Sequence, residues 1–288
     1  GGQLAAGLDW AVQASQLARQ TGDTDTLAQG LLLQAIPVVV HSRAQAVALM
    51  AECVGHFEAL GQAWDLALAT ALMGMVLAWH PGSEDAAEAA LAEARVRFLA
   101  MDDAWCLATT TRHLARTTAR RGHIARSRQF ACETLDASVR AGFSLLEAGA
   151  RHHLAQLALA EGDVDAALGW AAGSILTSWQ QGHRRNVLLL CRWVAALLWR
   201  TGRVGDAITL FAVGGGEADD PVSMAATIMT PADRDHWMAA LAELRAKVPA
   251  TSLAPAWEAG AAAPLEQVLT RTGLLPPQDA AAWPAGGG

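Results

Sequence analysis

Several residue types and patterns are missing from this chain of 288 residues, and each absence excludes a class of structure. Tyrosine is absent, phenylalanine occurs five times, and β-branched residues form no long alternating runs, which argues against a β-sandwich or barrel. No apolar run reaches the roughly 18 residues that a membrane span needs. The first ten residues do not show a basic segment followed by an apolar core, so we expect no secretory signal. The abundance of alanine and leucine, together with 11 tryptophans, instead favours an all-α protein.

The charge and the cysteines narrow the possible partners and the cellular compartment. The formal net charge is −7, which provides no general attraction to nucleic acid or to an anionic membrane. The cysteines form no C-x-x-C pair and lie inside helical patterns; they are Cys53, Cys106, Cys132 and Cys191. We interpret them as buried, reduced thiols of a cytoplasmic protein, without direct binding to nucleic acid or membrane.

Glycine recurs with a period of about 40 residues, which is the main structural signal in the chain. One series is evenly spaced and consists of Gly82, Gly122, Gly162 and Gly202. A second series has almost the same spacing and consists of Gly22, Gly61, Asp102, Gly142 and Gly182. The two series alternate, so each repeat is predicted to be a hairpin of two helices of about 16–18 residues joined by tight turns. Residues 4–20 are predicted to be a lone second helix that precedes the first hairpin.

Small residues recur inside each repeat, where two helices have to cross closely. They follow the second glycine series at a constant distance, at Ala35, Gly74, Ala115, Ala155 and Ala195. A second set is expected at a constant distance after the first, at Ala86, Ser127, Ala167 and Ala207. Leu114, Leu154 and Val194 directly precede three members of the first set and are predicted to fill the core beside the crossing.

The segments "LGQAWDLALATALMGMVLAWHPG" and "GFSLLEAGARHHLAQLALAEGDVDAALGWA" resemble the tetratricopeptide repeat. The period of about 40 residues exceeds the usual tetratricopeptide period of about 34 residues. The longer form is similar to the C-terminal arrays of large bacterial signal-transduction ATPases of the LuxR and SARP types, which are transcriptional regulators. The order of "RTGRVGDAITLFAVGGG", "TPADRDHWMAALAELRAKV" and "LAPAWEAGAAAPLEQVLTRT" also fits that family. The resemblance implies a superhelical solenoid over 1–213 and a helical cap at 231–273. The three consecutive glycines depart from the family, which tends to continue helically there, and predict a flexible loop at 214–230, while the proline, glycine and alanine after residue 273 predict a disordered tail at 274–288.

No pattern in the sequence points to catalysis, a metal or a cofactor. The motifs H-E-x-x-H, G-x-S-x-G and G-x-x-x-x-G-K-[ST] are all absent. His113 and His153 occupy matching places in two repeats, which indicates a repeated structural position at the edge of a helix face rather than a ligand set. We therefore predict no catalytic residue, no metal and no cofactor, and an enzyme would need strongly shifted titrating groups that nothing here predicts.

The first helix of each hairpin lines the concave groove in tetratricopeptide arrays, so its inward positions are the candidate binding site. Arg112, Arg116 and Arg120 follow an i, i+4, i+8 pattern that places them on one helix face. The other predicted groove residues are Met75, Trp79, His152, Gln156, Arg192, Trp199 and Arg200. Arginine and tryptophan together suit a carboxylate, a phosphate or a peptide with an apolar anchor. The alternative is a solvated arginine face that glutamates of neighbouring helices cover.

The resemblance implies a non-enzymatic regulatory module that binds a protein segment or a small anionic effector in its groove. Such a module would pass the binding event to attached or partner ATPase and DNA-binding domains, neither of which this chain contains. A free-standing tetratricopeptide-repeat adaptor or scaffold is the alternative function.

Overall fold

The computed structural model describes residues 2–39, 41–78, 82–215 and 229–276, with side chains from residue 6 onward. Every regular element in these ranges is an α-helix, which confirms the all-α prediction. In chain order the helices are α1 (Gly2–Thr21), α2 (Thr24–Val38), α3 (Arg43–Leu60), α4 (Ala63–Leu77), α5 (Glu84–Ala100), α6 (Ala104–Arg120), α7 (Ile124–Arg140), α8 (Ser144–Ala160), α9 (Val164–Gln180), α10 (Arg184–Arg200), α11 (Val204–Gly214), α12 (Pro231–Lys247), α13 (Ala250–Ala262) and α14 (Leu265–Arg271). None of these helices combines the length and the apolar character that crossing a membrane requires.

The chain divides into two compact units, Gly1–Ala141 and Gly142–Gly288. In the first unit each helix from α1 to α7 packs on the next one. In the second unit α8 pairs with α9 and α10 pairs with α11, while α12 packs on α10 and α13 packs on α11. Each unit is thus built from consecutive helical hairpins, as the glycine period predicts. The boundary between the units falls inside the segment predicted as one repeat array.

All of the predicted turn positions adopt the left-handed conformation that ends one helix and lets the next begin. At Gly162 the φ angle is 84°, and Asp163 then starts α9 by accepting a hydrogen bond from the amide of Ala166 at 3.0 Å. Asp102 has a φ angle of 51° and occupies a turn where the other repeats have glycine. The turn chemistry therefore specifies where the hairpins bend.

The small residues meet at the helix crossings, with one correction. Ala155 and Ala167 are fully buried, and the hydroxyl of Ser127 donates a hydrogen bond to the carbonyl of Ala115 at 2.7 Å. In the hairpin of α4 and α5, however, Ala86 is exposed and Ala87 is the buried residue, so the prediction for Ala86 is wrong. The reason is one additional residue between the crossing and the turn in that hairpin. Eight positions separate Gly74 from Gly82, whereas seven separate Ala115 from Gly122.

The C-terminal part of the second unit differs from the prediction at the first residues of the predicted tail. Most of the predicted loop, residues 216–228, and residues 277–288 of the predicted tail lie outside the described residues. Leu274 and Leu275, the first residues of the predicted disordered tail, are buried in the core of the second unit beside Trp193 and Trp237. The packed C-terminal region therefore continues past the last helix, at least to Leu275.

Candidate functional site

The predicted groove residues belong to two different compact units. The first unit contains Met75, Trp79, Arg112, Arg116 and Arg120, and the second contains His152, Gln156, Arg192, Trp199 and Arg200. Trp79 lies outside the described residues. Each set has its own surroundings and its own chemistry.

Helix α6 carries the arginines of the first unit on one face and threonines on the opposite, buried face. Asp103 caps the start of α6 by accepting a hydrogen bond from the amide of Cys106 at 2.9 Å, and the indole N–H of Trp64 donates to the same carboxylate at 2.9 Å. Thr110, Thr111, Thr117 and Thr118 are buried, and the hydroxyls of Thr110, Thr111 and Thr118 donate to carbonyls one turn earlier. This packing leaves Arg112 and Arg116 half-buried and Arg120 exposed.

Arg112 is the notable member of this set, because in the described part of the chain no carboxylate or carbonyl pairs with it. Burial, followed by the positive charge of Arg116, lowers the pKa of Arg112 to about 9, so its guanidinium stays charged at neutral pH. Burial, followed by the charges of Arg112, Arg116 and Arg120, lowers the pKa of His113 to about 3, so this ring is neutral. The middle of α6 is therefore a cationic surface where Arg112 has no acidic partner among the described residues.

Other arginines of the first unit pair with groups of the same chain, and two of them pair with glutamates, as the alternative of an arginine face covered by neighbouring glutamates predicts. Arg95 forms two hydrogen bonds with Glu133, at 2.7 and 2.8 Å, and Arg121 pairs with Glu88 at 2.6 Å. Arg120 donates to the carbonyl of Ala78 at the C-terminal end of α4, where the helix dipole favours a cation. Arg112 thus differs from neighbours whose charges are used within the fold.

In the second unit, His152 and Gln156 are brought together around a residue that the sequence analysis missed. Asp233, in the first turn of α12, is 3% exposed, and its Oδ1 lies 3.2 Å from Nε2 of His152. The side-chain amide of Gln156 donates to the same Oδ1 at 2.5 Å, and the His152 ring makes an edge-on contact with Trp193 at 5.1 Å between centroids. The two predicted residues therefore face a carboxylate of the same chain.

Asp233 both caps the start of α12 and pairs with His152 of α8. It forms a capping box with Thr230, whose hydroxyl and amide both donate to Oδ2. Burial would raise the pKa of Asp233, but the charge and hydrogen bond of His152, with the hydrogen bonds of Thr230, hold it well below the usual range. The pattern T-P-A-D before an apolar helix marks the cap in the sequence, but only the tertiary fold reveals the contact with His152.

Arg192 is buried and does not line an open groove, so the site prediction for this residue is wrong. Arg192 is 5% exposed; its Nε donates to the carbonyl of Gly214 at 2.7 Å, and its guanidinium lies 5.0 Å above the ring centroid of Trp237. The indole N–H of the half-buried Trp199 donates to Glu243 of α12 at 3.1 Å. Arg200 remains exposed at the end of α10. Helix α12 therefore covers most of the predicted groove residues of the second unit.

The cysteines and histidines of the described ranges form no cluster that could hold a metal ion. In the described ranges no group of three or more histidine, cysteine, aspartate or glutamate side chains is placed to hold a metal ion. Burial raises the pKa values of Cys53, Cys106 and Cys191 to about 12, and all cysteines are free thiols. Cys132 is exposed, which corrects the prediction that every cysteine is buried.

Comparisons with known proteins leave the function open. No protein-family model matches the chain, and no curated protein matches it in sequence. The solved structures that match it include BtubC (BKLC) from P. vanneervenii, with 14% sequence identity, 97% of each chain covered and a TM-score of 0.48. At this identity and TM-score the likeness assigns neither a function nor a site to this chain.

Proposed function

We propose that this chain is the regulatory repeat module of a bacterial transcriptional regulator and acts by binding rather than by catalysis. Its ligand is an acidic protein segment or a small anionic effector that contacts the arginine face of α6. This face consists of Arg112 and Arg116 beside Arg120, whose guanidinium also donates to the carbonyl of Ala78. Binding there is passed to ATPase and DNA-binding domains attached to the module in the same, larger polypeptide. The resemblance of the repeat to the arrays of such regulators supports this proposal.

The observation that carries the proposal is the half-buried Arg112 without an acidic partner among the described residues. A guanidinium that is partly removed from water interacts more strongly with an anion than an exposed one does. Arginine also binds a carboxylate or phosphate through two parallel N–H donors, which adds specificity to the attraction. The repulsion between Arg112 and Arg116 at an i, i+4 spacing would be relieved when an anion binds.

Binding of a glutamate-rich peptide that carries one central tryptophan and a fluorescein label tests this proposal. Fluorescence anisotropy would compare the unchanged chain with the double variant Arg112→Glu/Arg116→Glu. We expect the reversal of charge to weaken binding at least about tenfold, which corresponds to about 1.4 kcal/mol. Unlabelled inorganic phosphate should compete with the peptide, because both ligands use the same guanidinium donors.

The matched control is Arg184→Glu/Arg185→Glu, which makes the same change of charge at two exposed residues of α10. We expect this control to retain most of the affinity, and circular dichroism would verify that both variants keep their helices. Equal losses in the two double variants would mean that only the total charge matters, and the proposed site would then be rejected.

A further inference from the structure

Within the second unit, helix α12 packs on α10 and contacts α8 in the way that an amphipathic peptide lies in a groove. The residues of its buried face are Asp233, Trp237, Ala240, Leu241 and Leu244. This i, i+4, i+7, i+8, i+11 spacing is the pattern by which helical ligands place their anchors in a partner's groove. The receiving residues lie on α8 and α10, the first helices of their hairpins.

Three side chains of α12 contact predicted groove residues. The carboxylate of Asp233 meets His152 and Gln156 on α8. The ring of Trp237 lies beneath the guanidinium of Arg192 on α10. Near the other end of α12, Glu243 accepts a hydrogen bond from Trp199. Helix α12 thus supplies the carboxylates and the aromatic anchor, whereas α8 and α10 supply cations and hydrogen-bond donors.

The contact also contains polar groups that are not satisfied. Nδ1 of His152 and Nε2 of His236 are buried and have no hydrogen-bond partner in the described part of the chain. An unpaired buried polar atom weakens a contact, and a buried ion pair is often no more stable than apolar packing of similar volume. These features weaken the attachment of α12 to α8 and α10, so another helix with the same anchors could compete with it.

We propose that α8 and α10 form a receptor for an amphipathic helix that carries a carboxylate and, four residues later, a tryptophan. Helix α12 is the resident ligand of this receptor, and a partner helix with the same pattern displaces it. The inference rests on contacts within residues 142–276 and does not depend on the arginine face of α6.

The resident helix reduces the apparent affinity for any partner helix, because only the fraction of molecules with α12 detached can bind it. A change that weakens the attachment of α12 without altering α8 or α10 should therefore increase the affinity for an added helix. The affinity of the full chain for an added helix therefore tests the proposal directly.

The probe is a fluorescein-labelled peptide with the sequence of residues 229–248, added to the full chain. We expect the Asp233→Asn chain to bind this peptide at least about tenfold more tightly than the unchanged chain does. The control Asp235→Asn makes the same chemical change at an exposed residue of α12 and should leave the affinity unaltered. A peptide that itself carries Asp233→Asn should lose most of its binding to every chain.

A second variant covers the case in which Asp233→Asn prevents folding. Glu243→Ala removes the acceptor of the Trp199 indole N–H at a residue outside the core, and it should strengthen peptide binding by a smaller factor. If neither variant binds the peptide more tightly than Asp235→Asn does, the proposal is wrong. The variants could instead form dimers, seen as an average mass that rises with protein concentration. The occupant would then be α12 of a second copy of this chain, and the proposal of a partner helix would be wrong.

Discussion

At the scale of single residues, the hairpins depend on backbone positions with positive φ. Gly162 has a φ angle of 84°, and a Cβ added there would meet no other atom within 4 Å. The requirement for glycine is therefore one of conformation and not of space. Asp102 tolerates the same region of φ because a short polar side chain adopts the left-handed conformation more readily than most residues do.

Gly162→Ala should lower the free energy of unfolding by about 1 kcal/mol, because alanine is strained at positive φ. Gly169, in the middle of α9, is also surrounded by open space but has an ordinary helical backbone. Gly169→Ala should therefore raise the free energy of unfolding by about 0.5–1 kcal/mol, since alanine is the better helix former. Urea unfolding followed by circular dichroism measures both changes, and two changes of the same sign would contradict this account.

At the scale of helices, the close crossings were predictable because they depend on residues near in sequence. Ala155 and Ala167 are 12 positions apart on consecutive helices and both are fully buried, so a periodic pattern reveals them. The same reasoning places the buried residue of the α5 hairpin at Ala86 instead of Ala87, because an extra residue before a turn shifts the register without changing the composition. Patterns predict the crossings, and small insertions limit their precision.

Ala155→Leu should destabilise the second unit by about 1–3 kcal/mol, because the added atoms would separate α8 from α9. Ala160→Leu places the same side chain at the exposed end of α8 and should change the free energy of unfolding by less than about 0.5 kcal/mol. Chemical unfolding of both variants gives the comparison. Similar effects at the two positions would show that α8 and α9 do not cross closely at Ala155.

The attachment of α12 was not predictable from the sequence, because its partners lie far away along the chain. His152 and Asp233 are separated by 81 positions, and no local pattern connects them. The sequence analysis identified His152 and Gln156 as inward-facing residues, but it assigned them to an external ligand. It missed the carboxylate of Asp233 because the capping motif accounts for an aspartate at that place without any tertiary contact.

The contact of Asp233 predicts how stability depends on pH. Its pKa in the folded chain is lower than its ordinary value of 3.8, so the contact stabilises the fold fully above that value. The contribution is lost as the pH falls below 3.8 towards the lowered pKa of the folded state. Asp233→Asn should cost on the order of 2–3 kcal/mol at neutral pH.

Unfolding measured from pH 5 to pH 3 checks this expectation. The difference in free energy between the unchanged chain and Asp233→Asn should stay constant down to about pH 4 and then become smaller. The exposed control Asp235→Asn should follow the unchanged chain throughout. A difference that is independent of pH would mean that the carboxylate of Asp233 does not stabilise α12 through its charge.

At the scale of the whole molecule, the all-α class and the hairpin repeat were predictable, whereas the division into two units was not. The boundary at Gly142 lies at an ordinary member of the turn series, with a φ angle of 65°, and nothing in its local sequence distinguishes it from the other turns. Leu274 and Leu275 resemble the start of an unstructured tail because proline, alanine and glycine follow them, yet they are buried in the core of the second unit. Long-range packing decides both features.

The proposal that this repeat module serves a larger regulator is tested most directly by the mass of the native polypeptide in its source cells. An antibody raised against this chain would detect that polypeptide on a denaturing gel. The account predicts a band several times heavier than the 30.2 kDa of this chain, because the ATPase and DNA-binding domains would be part of the same polypeptide. A single band near 30.2 kDa would contradict it and favour a free-standing adaptor.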